Sequence, residues 1–256
     1  MSISFDLDSA RTFVARALPD SPSNLGAVEA PDLGFDKAKE QAVLVGSAVL
    51  SFDVGVEAGF REAISDSALL AQLVANKTND VGTDPIAWFD AYFAVLGNIG
   101  WAIQARDTAT YDIKTDGMEV HEAILDVIAA FIGPVPGAAA LVQLALQSLK
   151  KMDADSPLIT IFEKQSQHAT IGRFQFTTVR QDATGGLLAE AMAFALNAER
   201  NITQILFFRL SKNKQTLRRS LGTISLNREA LIKLQPLIRQ KVQAHMIDFV
   251  ASINLD

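Results

Sequence analysis

The stretch that most constrains the fold is residues 171–226, because it reads as a series of consecutive strands. Residues 173–180, 187–198, 202–210 and 217–226 are apolar or alternating, and short polar segments separate them. Short connections of this kind typically join antiparallel neighbours. The pattern predicts a four-stranded antiparallel sheet, with residues 202–210 as a central strand and residues 217–226 as an edge.

Residues 187–200 leave two structures open. As a strand, this segment places alanines on one face and larger apolar side chains on the other, which predicts a sheet covered by helices on both sides. The same residues are strong helix formers, so a helix is the alternative.

The rest of the chain is predicted to be mainly helical. Asp84-Pro85 is a typical helix start, because the carboxylate accepts free amides and proline fits the first helical position. Residues 36–51 predict a further helix, and residues 57–77 predict one helix or a broken pair. Residues 101–113 predict an extended edge segment, and residues 1–36 predict a short helix followed by a tether. After Asn227 an apolar stripe of helical period continues to Ile253, with a kink or a short first segment expected at Pro236.

These elements predict one α+β domain over residues 1–256. Its helical N-terminal half and its C-terminal helix would pack on the four-stranded sheet at residues 171–226.

The most unusual local feature is the absence of charge from residue 127 to residue 149. Two helical arms flank a break that contains Pro134 and Pro136, and each arm is too short to cross a bilayer alone. One interpretation is a helical hairpin buried in the core. The other is a mobile hairpin that inserts into a membrane, and its candidate inserting residues are Phe131, Ile132, Pro134, Val135 and Pro136.

Charge is distributed unevenly along the chain. The formal net charge is −6, yet residues 201–256 carry nine basic and three acidic residues. The candidate lipid- or partner-binding residues in this region are Arg209, Lys212, Lys214, Arg218 and Arg219. They would form a solvated loop, a surface for self-association, or a contact with anionic lipid headgroups.

Several function classes are disfavoured by composition. The acidic net charge argues against nucleic acid as a partner. The chain has no cysteine, which excludes disulfides and thiolate chemistry. It contains no G-x-x-x-x-G-K-[ST], G-x-G-x-x-G or G-x-S-x-G motif, and its two S-x-x-K matches lack the companion motifs of a serine acyltransferase. His121-Glu122 lacks the second histidine of a zinc motif. We therefore predict no catalytic residue, no metal site and no cofactor.

Two stretches, residues 67–77 and residues 88–101, resemble a group of uncharacterised bacterial proteins of similar length. The resemblance runs from about residue 41 to the C-terminus and implies a bacterial α+β protein. It implies no activity, cofactor or catalytic residue.

The sequence favours a non-enzymatic bacterial protein that acts by self-association or by contact with membranes. A toxin- or virulence-type factor with a mobile apolar hairpin would fit this description. The alternative is an enzyme of unfamiliar type whose site consists of dispersed carboxylates and hydroxyls. Because the start of the chain lacks a basic region, we expect a cytoplasmic protein, with leaderless secretion as the alternative.

Overall fold

The strand-rich stretch forms the middle of a larger sheet than its own sequence predicts. A computed structural model describes residues 5–19, 31–79, 84–113, 116–132, 138–152, 156–211, 214–253 and 255. The strands are β1 (Gln41–Val45), β2 (Ala48–Phe52), β3 (Trp101–Tyr111), β4 (Gln167–His168), β5 (Ile171–Gln181), β6 (Leu187–Ala198), β7 (Gln215–Leu226) and β8 (Val250–Ile253). The helices are α1 (Leu7–Ala17), α2 (Ala58–Thr78), α3 (Pro85–Asn98), α4 (Val120–Ile132), α5 (Ala138–Lys151), α6 (Pro157–Ser166), α7 (Arg228–Val242) and α8 (Met246–Phe249).

The described residues form an eight-stranded mixed sheet. Seven strands follow the order β3-β7-β6-β5-β2-β1-β8, and β4 pairs with β5 outside this order. β2 and β5 are parallel, and the other pairs are antiparallel. The α+β class is thus confirmed, whereas the predicted four-stranded antiparallel sheet is wrong in size and in strand direction. β2 and β5 pair across more than a hundred residues of chain, and a local sequence pattern carries no information about such a pairing.

Three of the four predicted strands are confirmed as β5, β6 and β7. β6 pairs along its whole length with β5 on one side and with β7 on the other, which resolves residues 187–198 as a strand. β6 is hydrogen-bonded to a strand on each side, and its side chains are buried on both faces of the sheet. These contacts outweigh the helix propensity of its alanines. β5 follows the predicted alternation, since Phe174 and Phe176 lie on the face opposite to Arg173 and Gln175.

The predicted central strand at residues 202–210 is wrong. These residues form turns and a single bridge between Arg209 and Glu119, and we call them the strap. The strap is apolar because it packs on the face of the sheet that carries Phe174 and Phe194. Its side chains Ile205, Leu206 and Phe208 are buried in that part of the core. β7, which the sequence places at an edge, therefore pairs directly with β6 and lies inside the sheet.

The predicted helix at residues 36–51 is also wrong, because β1 and β2 form a hairpin there. Gly46 has a φ of +55° in the tight turn between them, and a Cβ at this position would overlap the Gln72 side chain. Both strands are almost wholly buried, so their apolar run lacks the alternation that separates a strand from a buried helix.

The two ends of the sheet show one confirmed and one corrected prediction. β3 pairs only with β7 and forms an edge, as predicted for residues 101–113. The last helix begins after Asn227 as predicted, but α7 continues through Pro236 and ends at Val242. The rest of the apolar stripe becomes a 3₁₀ turn at Gln243–His245, then α8, and finally β8, which pairs with β1.

Helices cover both faces of the sheet, which confirms the expectation from the alanine face of β6. The first layer contains α1, α2, α3 and α7 and packs on the face that carries Ala189 and Ala193. The second layer contains α4, α5, α6 and the strap, and it packs on the face that carries Phe174 and Phe194.

Candidate interaction site at the α4–α5 hairpin

The uncharged segment forms the two helices that its spacing predicts. At the start of α4 the Glu122 carboxylate accepts the Glu119 backbone N–H at 2.8 Å, which satisfies a free amide of the first turn. At the end of α5, Lys150 and Lys151 face the negative end of the helix dipole. Pro134, Val135 and Pro136 lie outside the described residues. Among the described residues, no helix combines the length and the apolarity that a membrane span requires.

The inner face of the hairpin is apolar throughout its described length. Its buried side chains are Val120, Ala123, Ile124, Val127, Ile128, Leu141, Val142, Ala145, Leu146 and Leu149. They pack on a face of the sheet that includes Phe174, Phe176 and Phe194, with Phe174 stacked on Phe194 at a centroid distance of 5.2 Å. From residue 127 to residue 149, hydrophobic burial therefore holds the described part of the hairpin on the sheet.

The outer face of the hairpin exposes few large apolar side chains. Phe131, a predicted inserting residue, is half-buried, while Ala129 and Ala130 are exposed. Leu144 on α5 is 37% exposed. Ile132 is the last residue of α4. Most of the apolar surface that could contact lipid is thus on the inner face.

A side-chain hydrogen bond joins the middle of α4 to the sheet. The hydroxyl of Tyr111 on β3 donates to Asp126 Oδ2 at 3.0 Å. Burial, together with this hydrogen bond and the charge of Asp126, raises the pKa of Tyr111 to about 12. The hydroxyl therefore remains a donor at neutral pH.

A second polar cluster lies at the base of the hairpin, where α4 begins and α5 ends. Glu119 Oε2 is 3.2 Å from His121 Nδ1 and 3.7 Å from Lys150 Nζ. The His121 ring also packs edge-on against Phe207 of the strap. Glu119 thus connects both helices to each other beside the strap.

The basic residues singled out from the sequence do not form one patch in the described part of the chain. Arg218 and Arg219 are neighbours on β7 and therefore point to opposite faces of the sheet. Arg219 forms an ion pair with Asp107 at 3.2 Å. Arg209 is exposed on the strap, where its backbone forms the isolated β-bridge with Glu119. Lys214 is exposed, and Lys212 lies outside the described residues.

Two adjoining clefts follow the end of the sheet beside α4. One has a volume of about 470 Å³, and Tyr111, Asp126, Phe131 and Arg219 are among its lining residues. The other has a volume of about 640 Å³, and Lys214 is among the residues that line it. Tyr111 and Asp112 line both clefts, so they connect the hairpin to the basic end of β7.

The first layer differs from the hairpin because buried polar side chains fix it to the sheet. Arg61 on α2 is fully buried and donates to the carbonyl oxygens of Lys39, Asp53 and Val56 and to Gln41 Oε1, at 2.7 to 2.9 Å. Gln72 on α2 donates to the Val45 carbonyl at 2.6 Å and accepts the Ser47 backbone N–H at 3.0 Å.

Helix α7 is tied to its neighbours in the same way. Arg239 donates to Asp66 Oδ2 on α2 at 2.7 Å. Lys241 reaches the end of α1 and donates to the carbonyl oxygens of Ala15 and Leu18, at 2.9 Å each. Sequence reasoning missed this polar network. The signal was present in α2, where Arg61 and Asp66 interrupt positions that helical spacing assigns to the core.

Two carboxyl groups have raised pKa values, but they lie on opposite faces of the sheet. Burial raises the pKa of Asp66 to about 6 in the first layer, against the opposing effect of Arg239. Burial also raises the pKa of Glu163 on α6 to about 7 in the second layer. The described residues contain no group of three or more side chains that could hold a metal ion. A catalytic site built from converging carboxylates therefore gains no support from these two groups.

Comparisons with known proteins give low similarities. No family model and no curated protein matches the chain. A solved structure described as a delta-endotoxin is 14% identical, with a TM-score of 0.44 and coverage of 82% of this chain and 89% of that chain. The activated Cyt2Ba monomer from Bacillus thuringiensis subsp. israelensis is 11% identical, with a TM-score of 0.35 and coverage of 70% and 97%. The Evf virulence factor is 10% identical, with a TM-score of 0.35 and coverage of 95% and 89%. These values are too low to establish a shared family.

Proposed function

We propose that this protein is a non-enzymatic interaction protein that binds membranes by releasing the α4–α5 hairpin from the sheet. The observation that carries the proposal is the apolar attachment of this hairpin. From residue 127 to residue 149, the described residues make no hydrogen bond or ion pair to the sheet. An apolar contact of this kind can be exchanged for lipid without leaving a buried polar group unpaired.

The cost of release in water keeps the hairpin closed. Eight valine, isoleucine and leucine side chains of the hairpin are buried, and at about 1.5–3 kcal/mol each their exposure would cost on the order of 10–20 kcal/mol. This figure counts the hairpin alone. Contact between α4 and α5 lowers it, and the uncovered sheet face with Phe174, Phe176 and Phe194 adds to the total cost of release. At a membrane, acyl chains replace the sheet as the apolar surroundings of the hairpin, so most of the hairpin's share of the cost disappears.

The length of the helices determines how such a hairpin would lie. At 1.5 Å per residue, α4 and α5 are each about 20 Å long, compared with about 30 Å for the hydrocarbon core. The hairpin would therefore lie in the interface or enter one leaflet. Lys150 and Lys151 at the end of α5 would remain at the level of anionic headgroups.

The absence of cysteine from the chain allows a direct test. Ala145 on α5 and Ala71 on α2 are both fully buried, so Ala145→Cys and Ala71→Cys form a matched pair in the two layers. We expect a lipid-soluble thiol reagent carried in anionic liposomes to label Ala145→Cys faster than the same reagent does without a lipid bilayer, and to leave Ala71→Cys unchanged, because the released inner face contacts acyl chains rather than water. No acceleration at Ala145→Cys would contradict the proposal, and equal acceleration at both positions would indicate global unfolding instead.

Self-association is a second candidate function, and the unpaired outer edge of β3 favours it. β3 is eleven residues long and, among the described strands, pairs only with β7. A second copy could extend the sheet at this edge, although Arg106 and Asp107 are charges of the kind that protect edges from pairing. Light scattering at increasing concentration would detect a dimer, and a monomer at high concentration would contradict this candidate.

A further inference from the structure

The two ends of the hairpin are attached to the body in different ways. At the base, backbone hydrogen bonds join the strap to α4 and to the residues before it. They run from Gly117 N–H to Leu210 O at 2.7 Å, from Leu210 N–H to Met118 O at 2.7 Å, from Val120 N–H to Phe208 O at 3.0 Å and from His121 N–H to Leu206 O at 2.9 Å. The first turn of α4 is therefore capped by carbonyl groups of the strap.

The strap is itself fixed to the sheet and to α6. Ile205 packs so closely on β5 that a Cβ at Gly172 would overlap its side chain. The Ile205 N–H donates to Glu163 Oε2 at 3.2 Å, and the Ile202 N–H donates to the Ala169 carbonyl at 2.8 Å. A helix end that is bonded to the strap is thus bonded to the body of the protein.

The end of α5 belongs to the same base. Glu119 contacts both His121 and Lys150, so the start of α4 and the end of α5 are held beside each other at the strap. At the opposite end, which we call the tip, α4 ends at Ile132 and α5 begins at Ala138. The described residues beyond Asp126 on α4 contact the sheet through apolar side chains alone.

We infer that the hairpin opens as a flap, with its tip leaving the sheet while its base stays bound to the strap. This inference rests on the proposed function and adds which part moves. Separating the base from the strap would break at least four backbone hydrogen bonds and the contacts of Glu119. The described residues on either side of the tip, 127–132 and 138–142, make no backbone hydrogen bond to the body, so lifting this part breaks none there. The tip is therefore the end with the lower opening free energy.

Thiol accessibility along the hairpin tests the flap without lipid. Val142 near the tip and Ala123 near the base are both fully buried. In buffer, we expect Val142→Cys to be labelled at least about tenfold faster than Ala123→Cys, because local opening exposes the tip more often than the base. Equal rates at the two positions would overturn the flap, since the hairpin would then open as one unit.

A disulfide at the base provides the second readout. Glu119 and Arg209 face each other in an antiparallel bridge, a separation that a disulfide can span. We expect the oxidised Glu119→Cys/Arg209→Cys variant to bind anionic liposomes within about twofold of its reduced form. Loss of binding on oxidation alone would overturn the flap. If neither form binds liposomes, the proposed function fails, while the labelling gradient still decides whether the hairpin opens from its tip.

Discussion

The two helical layers cover the same sheet but are attached to it by different forces. In the first layer, Arg61 and Gln72 of α2 are buried and bonded to backbone groups of the β1–β2 region. In the second layer, α4 and α5 contribute only apolar side chains to the contact from residue 127 to residue 149. Buried polar bonds are costly to break singly, whereas an apolar contact can be exchanged for another apolar surface. The α2 contacts are therefore costlier to break than the apolar contacts of residues 127–149, and the proposed release of the α4–α5 hairpin rests on this difference.

The largest effect should come from Arg61. In Arg61→Met the volume is largely kept, but four acceptors lose their donor in a buried site, so we expect a loss of about 3–5 kcal/mol in the free energy of unfolding. Urea denaturation measures it. Arg11→Met is the control, because the Arg11 side chain is 51% exposed and should change stability little. An Arg61 variant as stable as the wild type would remove the distinction between the layers.

A pair of leucine truncations should separate local opening from global unfolding. Leu69 on α2 and Leu146 on α5 are both buried. Each change to alanine should remove about 2–5 kcal/mol, from the free energy of global unfolding for Leu69 and from that of hairpin opening for Leu146. We expect Leu69→Ala to lower the urea midpoint of the whole protein. Leu146→Ala should mainly accelerate amide exchange in α4 and α5. Equal losses at the global transition, with no selective exchange, would indicate that the layers unfold together.

Stability should depend on pH through the buried Asp66. Burial raises its pKa to about 6 in the folded state, from 3.8, so the folded protein binds this proton more tightly than the unfolded chain does. Protonation of Asp66 therefore adds on the order of 3 kcal/mol to the free energy of unfolding. This stabilisation is fully present below the unfolded-state pKa and is lost as the pH rises through about 6. We expect the urea midpoint to decrease as the pH rises from about 4 to about 7. In Asp66→Asn, we expect the midpoint to depend less on pH over the same range. An unchanged slope in Asp66→Asn would assign the dependence to other groups.

The smallest effect should come from Tyr111, and it should affect the hairpin alone. Tyr111→Phe removes the donor to Asp126, so we expect a loss of about 1–2 kcal/mol in hairpin closure and faster labelling of Val142→Cys. Tyr92→Phe is a matched control, because the buried Tyr92 hydroxyl in the first layer has no hydrogen-bond partner among the described residues. If both variants behave alike, the Tyr111–Asp126 bond does not restrain the hairpin.

The sequence predicts the elements whose signals are local. β5 alternates between faces, and Asp84 caps α3 by accepting the Ile86 and Ala87 amides at 3.0 Å, as the Asp84-Pro85 pair indicates. A strand that is buried on both faces has no alternation, so the local pattern at β1 and β2 predicts a helix. The continuous apolar pattern of the strap predicts a strand, although its residues cover the core without pairing in the sheet.

The candidate site could be located in sequence but not interpreted from sequence alone. The absence of charge from residue 127 to residue 149 marks the hairpin, and its two helices are confirmed. The bonds that distinguish base from tip join residues about ninety positions apart, such as His121 and Leu206. Sequence proximity also placed Arg218 and Arg219 in one basic cluster, whereas strand geometry places them on opposite faces.

Native-state hydrogen exchange measured by mass spectrometry tests the central claim most directly. We predict that amides of α4 and α5 near the tip exchange through a local opening, at a free energy below that of global unfolding, while amides of α2 exchange only through global unfolding. The difference should persist at low denaturant and vanish near the unfolding midpoint. Equal exchange free energies in α2 and in the hairpin would contradict the account, because the second layer would then be as firmly attached as the first.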